Sequence, residues 1–154
     1  MGVKIEDVLA ELDAIEPDYQ RARQLGVAAL PHLSVLVKGS ESNLAAKAVY
    51  LASLIGTEAA TDVLRTSMAC ADPIIRLQTA SGARHLAPTA ATIFLQSLLN
   101  DPDHGVRKVA LRSSQQLFTT ATMPEGMRTR IARLADADPE LFVRSLAKSI
   151  GARP

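Results

Sequence analysis

Aromatic residues are scarce: the 154-residue chain has no Trp, two Tyr and three Phe. That leaves no base-stacking platform for single-stranded nucleic acid. The one cysteine, Cys70, excludes a disulfide framework and a Cys-based zinc site, and is expected to be a reduced structural thiol. No apolar run reaches the length of a membrane span. The segment from Met1 to Ala14 carries Lys4, Glu6, Asp7, Glu11 and Asp13, unlike a secretory signal, so a cytoplasmic location is expected. An excess of one charge is missing too, with 17 basic against 16 acidic residues, so any nucleic-acid argument must come from how charge is distributed. His32, His85 and His104 share no repeat position and form no H-x-x-x-H, H-E or C-x-x-C pair, so no metal is expected. Neither G-x-S-x-G nor a Gly-rich phosphate loop occurs, so no catalytic residue and no cofactor is expected. Apolar residues are plentiful at 47%, enough for one globular domain with a continuous core.

The chain repeats itself with a period of 31 residues. That step aligns Ala28, Ala59 and Ala90; Leu33, Leu64 and Leu95; Val37, Met68 and Leu99; Leu44, Ile75 and Val106; and Ala48, Thr79 and Ala110. It also aligns an acidic column, Glu41, Asp72 and Asp103. A fourth copy follows after six extra residues in the Thr119 to Pro124 loop, where a step of 37 carries Asp103, Val106 and Ala110 onto Glu140, Val143 and Ala147.

Each unit reads as two helices. The first has apolar residues at helical spacing, as in Ala60, Val63, Leu64 and Met68. The acidic column falls just before the second, where a carboxylate can accept orphan backbone N–H groups. Pro73 suits a first helical turn, and Pro31 and Pro88 stand near the starts of first helices. Gly26 and Gly56 stand where a helix should end. Residues 3–25 read as a degenerate leading pair, a helix from Val3 to Ile15, a break at Glu16-Pro17 and a short helix to Leu25. Small helix pairs cannot bury their own apolar faces, so stacking must supply the core. The expected architecture is an all-α solenoid of stacked antiparallel helix pairs forming one domain over residues 1–154. It comprises a cap at 1–25 and repeats at 26–56, 57–87, 88–118 and 124–151.

Three segments carry a resemblance to a known family: Asp72-Pro73-Ile74-Ile75-Arg76, Asp101-Pro102-Asp103-His104-Gly105-Val106-Arg107, and Asp138-Pro139-Glu140-Leu141-Phe142-Val143-Arg144. They resemble HEAT repeats of the short, phycobilisome-lyase-like variety, over about residues 26–150, with Ala45 replacing the arginine in the first copy. The resemblance implies a helical scaffold with a concave surface for protein partners, lined by the second helices. It also implies that the Asp/Arg pattern links successive units, which gives Arg76, Arg107 and Arg144 a structural role. Non-haem iron hydroxylases of similar fold need His-Glu pairs, and alkylpurine glycosylases need an aromatic cage; neither is present here.

The second helices, taken as 43–55, 74–86, 105–117 and 141–150, hold eight basic residues and no acidic one. With the three ladder arginines set aside, Lys47, Arg84, Lys108, Arg112 and Lys148 remain, and Tyr50 shares a repeat column with Arg112. Lys108, Arg112 and Gln115 form one stripe. The expected function is therefore a non-enzymatic scaffold or adaptor that binds an acidic or mixed protein surface through Lys47, Tyr50, Arg84, Lys108, Arg112 and Lys148. Sequence-independent nucleic-acid binding by the same face is the alternative, and a lyase-like or chromophore-chaperone role a third. Charge also drifts from net −5 over residues 1–18 to +5 over 105–154, and exposed solenoid ends admit an oligomer.

Overall fold

The computed structural model describes residues 2–151, and among them every regular element is helical. A short leading segment, α1 (Ile5–Leu12) and α2 (Tyr19–Ala22), runs through a 3-10 stretch at Arg23–Ala29 into the first helix pair, α3 (Leu30–Val37) and α4 (Ser42–Ile55). Three more pairs follow: α5 (Glu58–Met68) with α6 (Pro73–Ala83), α7 (Pro88–Leu98) with α8 (His104–Leu117), and α9 (Glu125–Ala137) with α10 (Leu141–Gly151).

Local chemistry sets the helix ends. Asp72 accepts a hydrogen bond from the Ile74 amide and Asp103 one from the Val106 amide, each capping a second-helix N-terminus. Glu41 stands at the same repeat position before α4 but makes no side-chain cap, its longer stem suiting the geometry less well. Pro31, Pro73 and Pro88 occupy first turns, where the missing N–H costs nothing. Gly56 ends α4 at φ 69°, and Gly26 takes φ 68° at the kink that turns the chain into α3. The leading segment is less regular than its sequence pattern. Its first helix covers Ile5–Leu12 rather than Val3–Ile15, and its second lasts one turn before relaxing into 3-10 geometry. So short a pair has too few apolar positions to hold two full helices.

The pairs stack in two layers, α3, α5, α7 and α9 in one and α4, α6, α8 and α10 in the other. The core runs between them without interruption through Leu33, Val49, Leu64, Leu95, Val106, Leu111, Ile131 and Val143. Each such side chain contributes about 1.5–3 kcal/mol by leaving water. Second-layer helices α4, α6 and α8 approach one another more closely than their first-layer counterparts. Small buried residues allow it: Ala45, Ala48 and Ala52 on α4; Ala80, Gly82 and Ala83 on α6; Ala110, Ser113 and Ser114 on α8. A Cβ at Gly82 would lie 2.6 Å from Ser53 Oγ, so glycine is required there by the neighbouring helix. Ser113 Oγ donates to the Ala80 carbonyl at 2.7 Å, tying α8 to α6. The tighter layer is the inner wall of the stack.

An arginine ladder joins successive pairs. Arg76 grips Asp101 with two hydrogen bonds of 2.7 and 3.0 Å, and Arg107 grips Asp138 at 2.8 and 3.1 Å. The acidic partner is the aspartate of the following pair's Asp-Pro turn, not the capping column four residues before each arginine. Each aspartate also accepts an amide of its own turn, from Asp103 and Glu140 respectively. Arg144, on the last helix, donates instead to the Asp138 carbonyl.

Candidate functional site

The inner wall is the surface on which the sequence places its binding residues, and the structure divides them. Lys47 turns toward the N-terminal segment. Its Nζ donates to the carbonyls of Leu12 at 3.2 Å and Ala14 at 2.6 Å, so it caps the C-terminal end of α1, where a cation meets the negative end of the helix dipole. Lys148 also departs from the wall. It is exposed on the column that in earlier pairs holds Val49, Ala80 and Leu111, all fully buried between neighbours. In the α9–α10 pair this inter-unit position is a solvated lysine.

Tyr50, Arg84, Lys108 and Arg112 stay on the wall, in two clusters. In the first, the Arg84 guanidinium donates to Tyr50 Oη at 3.3 Å and to Ser81 Oγ at 3.2 Å. Tyr50 Oη lies 3.0 Å from His85 Nε2. The Tyr50 ring meets Tyr19 edge-on at 4.9 Å and His85 at 5.5 Å between centroids. Burial pushes His85 below the ordinary imidazole range, and the positive charges of Arg84 and Arg23 push the same way. A neutral His85 with its proton on Nδ1 can accept a hydrogen bond from the Tyr50 hydroxyl at Nε2. The Tyr19 hydroxyl is raised, first by burial and then by Tyr50.

The second cluster joins α8 to α10. Lys108 Nζ sits 5.4 Å above the centre of the Phe142 ring, and His104 packs against that ring edge-on at 5.4 Å. Phe142 keeps 40% of its surface in solvent, and Leu141 beside it 68%. One turn along α8, Arg112 is exposed and has no hydrogen-bond or ionic partner among the described residues.

Sequence reasoning missed Tyr19, His85, His104, Leu141 and Phe142. Phe142 left a trace: at its repeat position the earlier pairs have Asn43, Ile74 and Gly105, so a phenylalanine there serves no shared core column. The histidines left none, because their partners lie 35 and 38 residues away in sequence, on other pairs.

Among the described residues no three His, Cys, Asp or Glu side chains converge as metal ligands. Cys70 sits in the α5–α6 turn with its Sγ toward the Thr66 carbonyl. Burial raises its thiol above the ordinary range, Asp72 adds to that and Arg76 only partly offsets it, so it is a poor nucleophile. A groove of about 1260 Å³ opens between α9, α10 and the inserted loop, with Phe118, Met123, Arg128, Ile131 and Lys148 in its lining. No described helix is long and apolar enough to cross a membrane.

No family model matches the chain. No curated protein matches it either. Among solved structures it is similar to the complex of CpcE and CpcF of phycocyanin lyase from Nostoc sp. PCC7120, with a TM-score of 0.76 and 20% identity, covering 96% of this chain and 98% of that one. Likeness over nearly the whole of both chains at so low an identity shows a shared helical-repeat fold, from the leading segment to the last pair.

Proposed function

We propose that this chain is a HEAT-like, non-enzymatic interaction module of the cytoplasm. Its inner wall binds a protein partner with an acidic or mixed surface. The observation that carries this reading is the charge of that wall: α4, α6, α8 and α10 contain no carboxylate, and Arg84, Lys108 and Arg112 stand there outside any ion pair among the described residues. Phe142 and Leu141 add exposed apolar area beside Lys108, the mixture of cation and aromatic that anchors protein interfaces. The similar solved structure is itself a complex of two proteins, which favours a protein partner. The test is affinity capture from native lysate, with and without nuclease, beside the Lys108→Glu/Arg112→Glu variant. A partner that survives nuclease and is lost in the variant is the expected result. Recovery that depends on nucleic acid would replace this reading with phosphate-backbone binding by the same wall.

A second reading follows from the likeness to a phycocyanin lyase complex, over 96% of this chain. A lyase-related or chromophore-handling role would use the same wall, with the partner a pigment-bearing protein. It would need no nucleophile from Cys70, whose raised thiol is unsuited to the task. Protein purified from its native source would then absorb at wavelengths beyond the ordinary aromatic band, and an empty visible spectrum would remove the idea.

A further inference from the structure

The junction between the leading segment and the first two helix pairs gathers an unusual set of side chains. Both tyrosines of the chain are there, with one of its three histidines and two arginines. They come from separate stretches: Tyr19 from α2, Arg23 from the 3-10 stretch that follows it, Tyr50 from α4, and Arg84 and His85 from the end of α6. No carboxylate balances the two guanidiniums; every ion pair among the described residues involves another arginine, namely Arg21, Arg65, Arg76 or Arg107.

The Arg84 head is held in place. Two of its five N–H groups are used, one on Ser81 Oγ and one on Tyr50 Oη, and both contacts are with neutral hydroxyls at the long end of hydrogen-bonding distance. Three N–H donors therefore have no partner among the described residues. Tyr50 cannot take up more of that charge, because its hydroxyl already bridges Arg84 and His85. Arg84 and Arg23 both add, after burial, to the lowering of His85. An arginine fork held by two hydroxyls, with three free donors, matches the two oxygens of an oxyanion.

We propose that Arg84, positioned by Tyr50 and Ser81, anchors a binding site for an oxyanion, to which Arg23 adds charge: a carboxylate or a phosphate group carried by whatever docks on the inner wall. The proposal rests on the reading of that wall as a binding surface and names the chemistry of one anchor on it. Arg84 supplies the directional hydrogen bonds, Arg23 adds charge, and His85 is the reporter, since an anion bound at Arg84 offsets the positive charge that adds to burial in lowering it.

The experiment follows the three histidine side chains by NMR while the full chain is titrated with inorganic phosphate and, separately, with N-acetylglutamate. The expected result is a saturable shift confined to His85, with the midpoint of its titration raised by about one pH unit when the site is filled. His32 and His104 are the internal controls. The response should disappear in Arg84→Gln and weaken in Arg23→Gln, the latter leaving the Tyr50–Arg84 contacts in place. The stronger of the two probes identifies whether the natural group is a phosphate or a carboxylate. Silence at His85 with both probes, or equal shifts at all three histidines, would overturn the site. Because this titration needs no protein partner, it separates from the capture experiment. A silent His85 with partner loss in Lys108→Glu/Arg112→Glu removes the anion site and keeps the wall, and a responsive His85 with unchanged capture does the reverse.

Discussion

Arg107 and Arg112 share helix α8 and have opposite roles. Arg107 is 8% exposed and fully engaged with Asp138 and the carbonyls of Asp101 and Pro102, whereas Arg112 faces solvent without a partner among the described residues. The sequence anticipated the difference through the repeat: Arg76, Arg107 and Arg144 recur in one column, and Arg112 does not. It also held a clue to the true acidic partner. Where the first pair has Ala45 in place of the arginine, the next has Cys70 at the position of Asp101 and Asp138, so both halves of the bond are missing together. Asp138→Ala would leave Arg107 charged and buried, and should destabilise the fold by about 3–5 kcal/mol in urea unfolding. That is a large part of the 5–15 kcal/mol typical of a domain. Asp62→Ala, in the exposed Arg65–Asp62 pair, should cost at most about 0.5 kcal/mol, since solvent already screens that bond.

Among the elements, α1 depends most on its neighbours. Eight residues are too few for a stable helix in water, and only Val8 and Leu12 are buried. The Lys4 amide donates to Asp7 at its start, and Lys47 from α4 takes the carbonyls at its end. Lys47→Met keeps most of the aliphatic stem and removes the donor. Amide hydrogen exchange in α1 should then accelerate by about tenfold, corresponding to the loss of roughly 1.5 kcal/mol of charged hydrogen bonding, while α4 and α6 keep their protection. Unchanged exchange in α1 would mean that Val8 and Leu12 alone hold it. This tether was not legible from sequence, because Lys47 looks like every other cation of the second helices until α1 is folded back across it.

At the scale of the whole molecule, the stack behaves as a row of units, each stabilised by the next. The bonds along the row are unequal. α4, α6 and α8 are in intimate contact through Gly82, Ser53 and Ser113, whereas the pair α9–α10 sits after the inserted loop and packs less extensively on α7 and α8. Arg107–Asp138 and the Phe142 cluster are its polar and aromatic ties to the rest. Native-state hydrogen exchange should therefore give graded protection, greatest in α4 and α6 and lower in α9 and α10, rather than one cooperative value. A single protection level across all four pairs would show that the row unfolds as a unit.

The sequence by itself determined the all-helical class, the helix pairs, the Asp72 and Asp103 caps and the three ladder arginines, because these depend on local spacing that recurs from unit to unit. A 31-residue period with apolar columns can satisfy itself only by stacking. Which cations remain available was decided by tertiary structure. Lys47 is drawn off to α1, Lys148 becomes the solvated end of a buried column, and Lys108 settles over a phenylalanine from another pair. Charge composition counts a lysine equally wherever it points, whereas its availability depends on which carbonyl, ring or carboxylate the folded chain brings within a few ångströms.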